Sequence, residues 1–230
     1  MFREVLFSNP PKLVSAGENS AVFEISQLYP GYGVTIGNSL RRVLLSSIKG
    51  VALTQVHFEN VLHEFSSVPG VIEDVLDITL NLQQVRLTFP GDEPLELRLE
   101  KKGKGELRAK DIQGPGGLEV KNPELLIASL TDDKTKLQMI LTAEKGIGYI
   151  SAEARERERI EPGTIVLDAM FTPIRNVAYE VEQMRVQDRT DFNLLRLSIE
   201  TDGTIKPEEA LRQATEILIK QFQIILGGIK

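Results

Sequence analysis

Alternation with a period of two runs through most of the chain. Val85, Leu87 and Phe89 alternate with Arg86 and Thr88, and Leu95, Leu97 and Leu99 alternate with Glu96, Arg98 and Glu100. In an extended strand this spacing puts apolar side chains on one face and polar ones on the other. Between the runs lies Pro90-Gly91-Asp92-Glu93-Pro94, a string of turn formers, so the stretch predicts a hairpin with one wet face. Leu137/Met139/Leu141, Val177/Tyr179/Val181 and Leu195/Leu197/Ile199 repeat the pattern, and residues 21–26, 51–58, 118–121 and 125–130 predict further short strands. Residues 103–117 are loop-rich, ending in Gly114-Pro115-Gly116-Gly117. No longer repeat emerges, which argues against a solenoid or propeller.

Helical spacing is confined to three stretches. The first covers about 38–48, between Gly37 and Gly50, with Asn38 or Ser39 placed to cap it. The second covers about 72–82, after Pro69-Gly70, and opens on Glu73 and Asp74, which suit the positive end of a helix. The third runs from Pro207 to about Leu226, with Glu208 and Glu209 in its first turn and Gly227-Gly228 as its stop. The fold class is therefore α+β, with mostly antiparallel strands.

The last of these helices is more apolar than a surface helix needs to be. Leu211, Ala214, Leu218, Phe222 and Ile225 form one stripe, yet Ile217, Ile219, Ile224 and Leu226 add apolar area on the other sides. Either its own sheet wraps it or a second chain covers it, and its place near the end of the chain favours a subunit contact. On the first helix Ile36, Leu40, Val43, Leu44 and Ile48 point one way, while Arg41, Arg42 and Leu45 are neighbours on the other side. Two guanidinium groups beside a leucine fit either a solvated face or an interface hot spot.

Composition narrows the chemistry. The 230 residues are 41% hydrophobic and 26% charged, the proportions of a soluble globular protein of one large or two modest domains. Without cysteine there is no disulfide, thiolate metal site or cysteine nucleophile, and with His57 and His63 as the only histidines a histidine-rich metal centre is excluded. No apolar run is long enough to span a bilayer and no secretory signal opens the chain, so a cytoplasmic protein is expected. A net charge of −6 disfavours a domain that grips phosphate backbones by itself.

The candidate motifs have simpler explanations. Gly31, Gly33 and Gly37 precede a helix, but they do not have the GxGxxG spacing, and a tight loop that positions the helix accounts for them better. His57 and His63, with Glu59 and Glu64 nearby, lack a third converging ligand. Glu73, Asp74 and Asp77 are explained by a helix start. Arg155, Arg157 and Arg159 interleave with Glu153, Glu156 and Glu158 as a solvated mixed-charge stretch. No nucleophile, base and electrostatic stabiliser assemble, so an interaction protein is expected rather than a self-sufficient enzyme.

Taken together, six ordered blocks resemble the amino-terminal domain of the bacterial RNA polymerase alpha subunit. They are GYGVTIGNSLRRVLLSSIK (31–49), VLHEFSSVPGVIEDVLDITLNL (61–82), EKGIGYI (144–150), VLDAMFTPIRNVAY (166–179), VEQMRVQDRTD (181–191) and TDGTIKPEEALRQA (201–214). The resemblance covers nearly all of 20–226, and the blocks are of the bacterial type rather than that of the archaeal and eukaryotic counterparts. It implies a dimerisation subdomain formed by residues 1–50 and 167–230, mostly antiparallel strands with two helices, and an inserted, mainly β subdomain at 51–166.

By the same resemblance the chain is a non-catalytic subunit of a nucleotidyltransferase, the DNA-directed RNA polymerase. It homodimerises and scaffolds the docking of the beta and beta-prime subunits, with omega and sigma in the same assembly. The docking residues so implied are Arg41, Arg42, Leu45, His63, Glu64, Phe65, Asp77, Leu80, Arg175, Arg185 and Arg189. The implied dimer interface comprises Ile36, Leu40, Val43, Leu44, Leu218, Phe222, Ile225 and Leu226. Gly37 and Asn38 match the family's loop-to-helix junction. No cofactor is expected on this chain, Mg2+ belonging to the large subunits. Full alpha subunits usually continue into a second domain that binds DNA, whereas this sequence ends at Lys230, so DNA contact is expected only through the assembled enzyme. A free-standing nucleotide-binding enzyme and a homodimeric scaffold unrelated to transcription remain the alternatives.

Overall fold

The computed structural model describes residues 7–59, 61, 63–155 and 163–229. From the amino end come β1 (Lys12–Ala16), β2 (Ser20–Leu28) and α1 (Tyr32–Ser47). Next in order are β3 (Lys49–Phe58), α2 (Val75–Gln83), β4 (Leu87–Thr88), β5 (Leu95–Lys102), β6 (Gly105–Arg108), β7 (Ile112–Gln113) and β8 (Glu119–Val120). They are succeeded by β9 (Leu126–Leu130), β10 (Lys136–Ile147), β11 (Tyr149–Ile150), the short α3 (Ala152–Arg155), β12 (Thr164–Val166) and β13 (Ala169–Met170). The chain closes with β14 (Ile174–Val186), β15 (Arg189–Thr201) and α4 (Pro207–Gly228). Fold class is thus α+β with antiparallel sheets.

The chain divides into two units, one formed by Met1–Ile48 with Thr172–Lys230 and the other by Lys49–Phe171. The second boundary lies beyond residue 166 because Ala169 and Phe171 form a small buried cluster with Ala52, and the Phe171 ring covers Gly146.

In the first unit a four-stranded sheet, in the order β1-β2-β15-β14, carries α1 and α4 on one face. Inward side chains of the strands, among them Phe23, Val177, Leu197 and Ile199, meet Leu40, Leu44, Leu211 and Ala214 of the helices in one core. On the outward face Arg196 bridges Glu24 and Glu182. The period-two alternation of β14 and β15 is what separates these faces.

The start of α1 corrects the sequence expectation. Gly33 and Gly37 belong to the helix, which begins at Tyr32 and not at 38. Gly31, at φ 87°, provides the left-handed entry that glycine tolerates. A Cβ on Gly37 would come within 2.7 Å of the Tyr179 ring, and one on Gly33 within 2.7 Å of Val181. Each glycine costs a helix about 1 kcal/mol relative to alanine, and close packing on β14 and β15 offsets that cost. Gly37 and Asn38 therefore lie inside the helix and do not mark its junction.

In the second unit a five-stranded sheet, in the order β12-β3-β10-β5-β7, packs against α2. Its register places Leu99, Met139 and Phe58 in one row and Leu97, Leu141 and Val56 in the next. Ile78 and Leu82 of α2 join the same core.

The expected hairpin across Pro90–Pro94 does not form. Both edges of β5 are taken, by β10 and β7, and β4 pairs with β8 instead. Pro90 and Pro94 also lack the amide donors with which a hairpin turn would close. α2 begins at Val75, with Asp74 Oδ1 accepting from the Asp77 amide at 2.7 Å as its cap. Glu73 stays outside the helix and accepts from both the amide (2.6 Å) and the hydroxyl (2.9 Å) of Ser129. Gly227 and Gly228 do not stop α4 but complete it.

Candidate functional site

Arg41, Arg42 and Leu45 lie on the exposed face of α1, and neither guanidinium makes a hydrogen bond or ion pair among the described residues. Val34 is exposed as well, so Val34, Asn38, Arg41 and Leu45 succeed one another at helical steps along a single stripe. Sequence reasoning missed Val34 because it started the helix too late. Its signal was present, since 34, 38, 41 and 45 step by four, three and four.

In the second unit a further mixed surface gathers around α2. Leu76, Asp77 and Leu80 share its exposed side. The loop before it is held to the helix start, where Ser66 O accepts from the Val75 amide at 3.1 Å. This loop carries His63, whose Nδ1 lies 3.1 Å from Ser66 Oγ, the half-buried Glu64, and Phe65, whose ring is 76% exposed. His63, Glu64, Phe65, Asp77 and Leu80 thus fall in one region of the unit.

The arginines of β14 and β15 are not equivalent. Arg175 is exposed near the start of β14. Arg185 Nε donates to Gln187 O at 2.8 Å inside the hairpin tip. Arg189 donates to both Asp191 oxygens and stacks over the rings of Tyr29 (5.5 Å) and Phe192 (5.2 Å). The Arg189 hydrogen bonds hold the Asp191 carboxyl below the usual aspartate range. Arg189 is therefore already engaged within its own unit, unlike Arg41 and Arg42.

The residues expected at a dimer interface also divide. Leu40 and Leu44 are buried in the core of their own unit, and Ile36, Val43 and Leu218 are half-buried against it. Their burial removes Leu40 and Leu44 from any surface. Phe222 (63%), Ile225 (58%) and Leu226 (71%) are largely exposed, together with Ile219 and Ile224. Only the first half of α4 is anchored, through Ala210, Leu211 and Ala214, and every residue from Ile219 to Ile229 faces solvent in the single chain. Exposed apolar area on all sides of a helix marks a contact surface.

Little else offers chemistry. Gly31 and Gly33, whose amides would have to cradle a phosphate, both donate to Asn193 Oδ1, at 3.0 and 3.3 Å. Among the described residues no three His, Asp or Glu side chains converge as metal ligands. His57 Nδ1 lies 3.3 Å from Thr164 Oγ1, a structural partner. Of the mixed-charge stretch, Arg155 pairs with Glu144, and residues 156–162 lie outside the described residues. Among the described residues no helix is long and apolar enough to cross a membrane.

Residues 56–172 match the family model described as the RNA polymerase Rpb3/RpoA insert domain, over half of the chain. The chain belongs to the bacterial RNA polymerase alpha family. Proteins named DNA-directed RNA polymerase subunit alpha are similar to it along most of its length. That of Roseiflexus sp. (strain RS-1) is 45% identical over 214 residues, covering 93% of this chain and 66% of the relative. That of Frankia casuarinae is 44% identical over 220 residues, covering 95% and 63%. That of Leifsonia xyli subsp. xyli is 46% identical over 200 residues, covering 87% and 60%. This alpha-family chain therefore spans between 60% and 66% of the length of these relatives. The matched insert model, 56–172, covers most of the second unit, Lys49–Phe171.

Proposed function

We propose that this alpha-family chain is a non-catalytic assembly scaffold of DNA-directed RNA polymerase in the bacterial cytoplasm. Two copies associate through the apolar half of α4 and the half-buried Ile36 and Val43 of α1. The dimer then presents Arg41, Arg42 and Leu45 of α1, with the Phe65, Asp77 and Leu80 region of α2, to the beta and beta-prime subunits. Arg175 contributes to docking as well, while omega and sigma enter the same assembly. The chain binds no cofactor itself, Mg2+ and the nucleotidyl transfer belonging to the large subunits, and it meets DNA only through the assembled enzyme.

The observation that carries this reading is the exposure of Phe222, Ile225 and Leu226 on a helix whose first half is firmly anchored. Each such side chain contributes roughly 1 kcal/mol or more once covered. A second copy offers the same surface, so a two-fold contact would satisfy both at once. The test joins sedimentation equilibrium to co-expression with tagged beta and beta-prime subunits. A dimer that co-purifies with both supports the proposal. A monomer at micromolar concentration, or a dimer that recovers neither large subunit, overturns it.

A further inference from the structure

The junction between β2 and α1 holds contacts that neither the docking face nor the apolar helix requires. Leu28 of β2 pairs with Asn193 and Ile25 with Leu195, so β2 fits an extra residue opposite β15. Gln27 accommodates it at a left-handed φ of 61°, and its amide donates to Met184 Sδ at 3.1 Å. Such a bulge bends a strand and re-aims the chain beyond it. The Tyr32 amide then donates to Tyr29 O at 2.9 Å, and the chain enters α1 through Gly31.

The first amides of a helix have no carbonyl within the helix to bond, and a side chain at the N-cap usually supplies one. Gly31 has no side chain, so α1 takes its acceptor from a strand far along the sequence. Asn193 continues the inward row of Leu195, Leu197 and Ile199, and its Oδ1 accepts from Gly31 and Gly33 together. Arg189, stacked over Tyr29 and Phe192, pins the same end of β15 to the same turn.

We infer that Asn193 is a positioning residue for the docking face of α1. It acts by capping the helix from outside, which seats Gly33 and Gly37 on β14 and β15. That seating determines how Val34, Asn38, Arg41 and Leu45 are presented. The inference rests on the proposed docking role of that face.

The test compares Asn193→Ala with Asn193→Asp in the 230-residue chain. Asp keeps the acceptor and adds a charge that suits a helix amino end. The readouts are hydrogen exchange at residues 31–35 and capture of beta and beta-prime by equal amounts of folded dimer. In Asn193→Ala first-turn exchange should quicken about fivefold, the usual worth of a cap, and capture should weaken by a similar factor. Exchange within α4 should not change, and Asn193→Asp should restore both readouts. Full capture by Asn193→Ala overturns the positioning role, as does failure of Asp to restore it, and unchanged exchange overturns the cap. Should Asn193→Ala not fold, Asn193→Asp decides alone: full capture supports the inference and weak capture overturns it. Arg42→Ala, run in parallel, keeps the two readings distinct. Full capture by Arg42→Ala removes the docking reading, whereas weak capture by Arg42→Ala beside full capture by Asn193→Ala removes this inference only.

Discussion

Gly37 of α1 lies so close to Tyr179 of β14 that a methyl group on it would stand 2.7 Å from Cδ2 and 3.0 Å from Cγ of the ring. Leu195 closes the other side at 2.9 Å. Alanine would gain about 1 kcal/mol of helix propensity at this position. Forcing a methyl group into a packed contact typically costs about 1–3 kcal/mol, and here a rigid ring, not a flexible chain end, must move. Gly37→Ala should therefore lower the melting temperature of the first unit, by calorimetry. A variant more stable than the parent would show that α1 can lift off the sheet at little cost.

Leu44 and Phe222 should separate folding from association. Leu44 is fully buried in its own unit, and Leu44→Ala should destabilise it by about 2–5 kcal/mol. Phe222 is 63% exposed, so Phe222→Asp combined with Ile225→Asp should leave chemical denaturation of the monomer nearly unchanged. The same pair of changes would bury carboxylates in a dimer and should abolish association in sedimentation runs. A double variant that remains a tight dimer would place the interface elsewhere.

Arg41 and Arg42 have no partner among the described residues, so truncating either should cost the fold less than about 0.5 kcal/mol. Loss of an interface arginine commonly costs about 2 kcal/mol, roughly thirtyfold in affinity. Arg42→Ala should accordingly weaken capture of the large subunits at an unchanged melting temperature. Arg189→Ala should do the opposite and destabilise the hairpin tip, because its guanidinium already serves Asp191, Tyr29 and Phe192.

Tyr149 gives a prediction for pH. Its ring is more than half exposed, but its hydroxyl is partly desolvated, and the Asp168 carboxylate favours its neutral form. Both effects favour the neutral phenol, so its pKa lies above the ordinary tyrosine value. The contribution to stability is complete below the unfolded-state pKa and is lost as pH rises through the folded one. Asp168→Asn should move the Tyr149 titration down, as read by ultraviolet absorbance against Tyr149→Phe. A titration that Asp168→Asn leaves in place would dissociate the two residues.

Much of this molecule could be read from local spacing. The alternation Val177/Tyr179/Val181 and Leu195/Leu197/Ile199 marked the strands β14 and β15, because period two alone sorts side chains between a core and a wet face. The surplus of isoleucine and leucine on α4 likewise marked a helix that a single sheet could not cover, and Leu45, one turn beyond Arg41 and Arg42, marked the exposed side of α1. These properties belong to one element at a time, and the sequence of that element determines them.

What only the tertiary structure decided involves partners distant in the chain. Gly33 and Gly37 resemble a loop in isolation, since each glycine disfavours helix by about 1 kcal/mol. Contacts with Tyr179, Val181, Asn193 and Leu195 reverse that preference. The same non-locality gave the edges of β5 to β10 and β7, divided the apolar side of α1 into buried Leu40 and Leu44 and half-buried Ile36 and Val43, and engaged Arg189 while leaving Arg42 without a partner among the described residues. Periodicity assigns a side chain to a face, but the neighbours that meet that face come from other elements of the chain, and for α1 from residues more than a hundred positions away, whose packing energies exceed the local preferences they override.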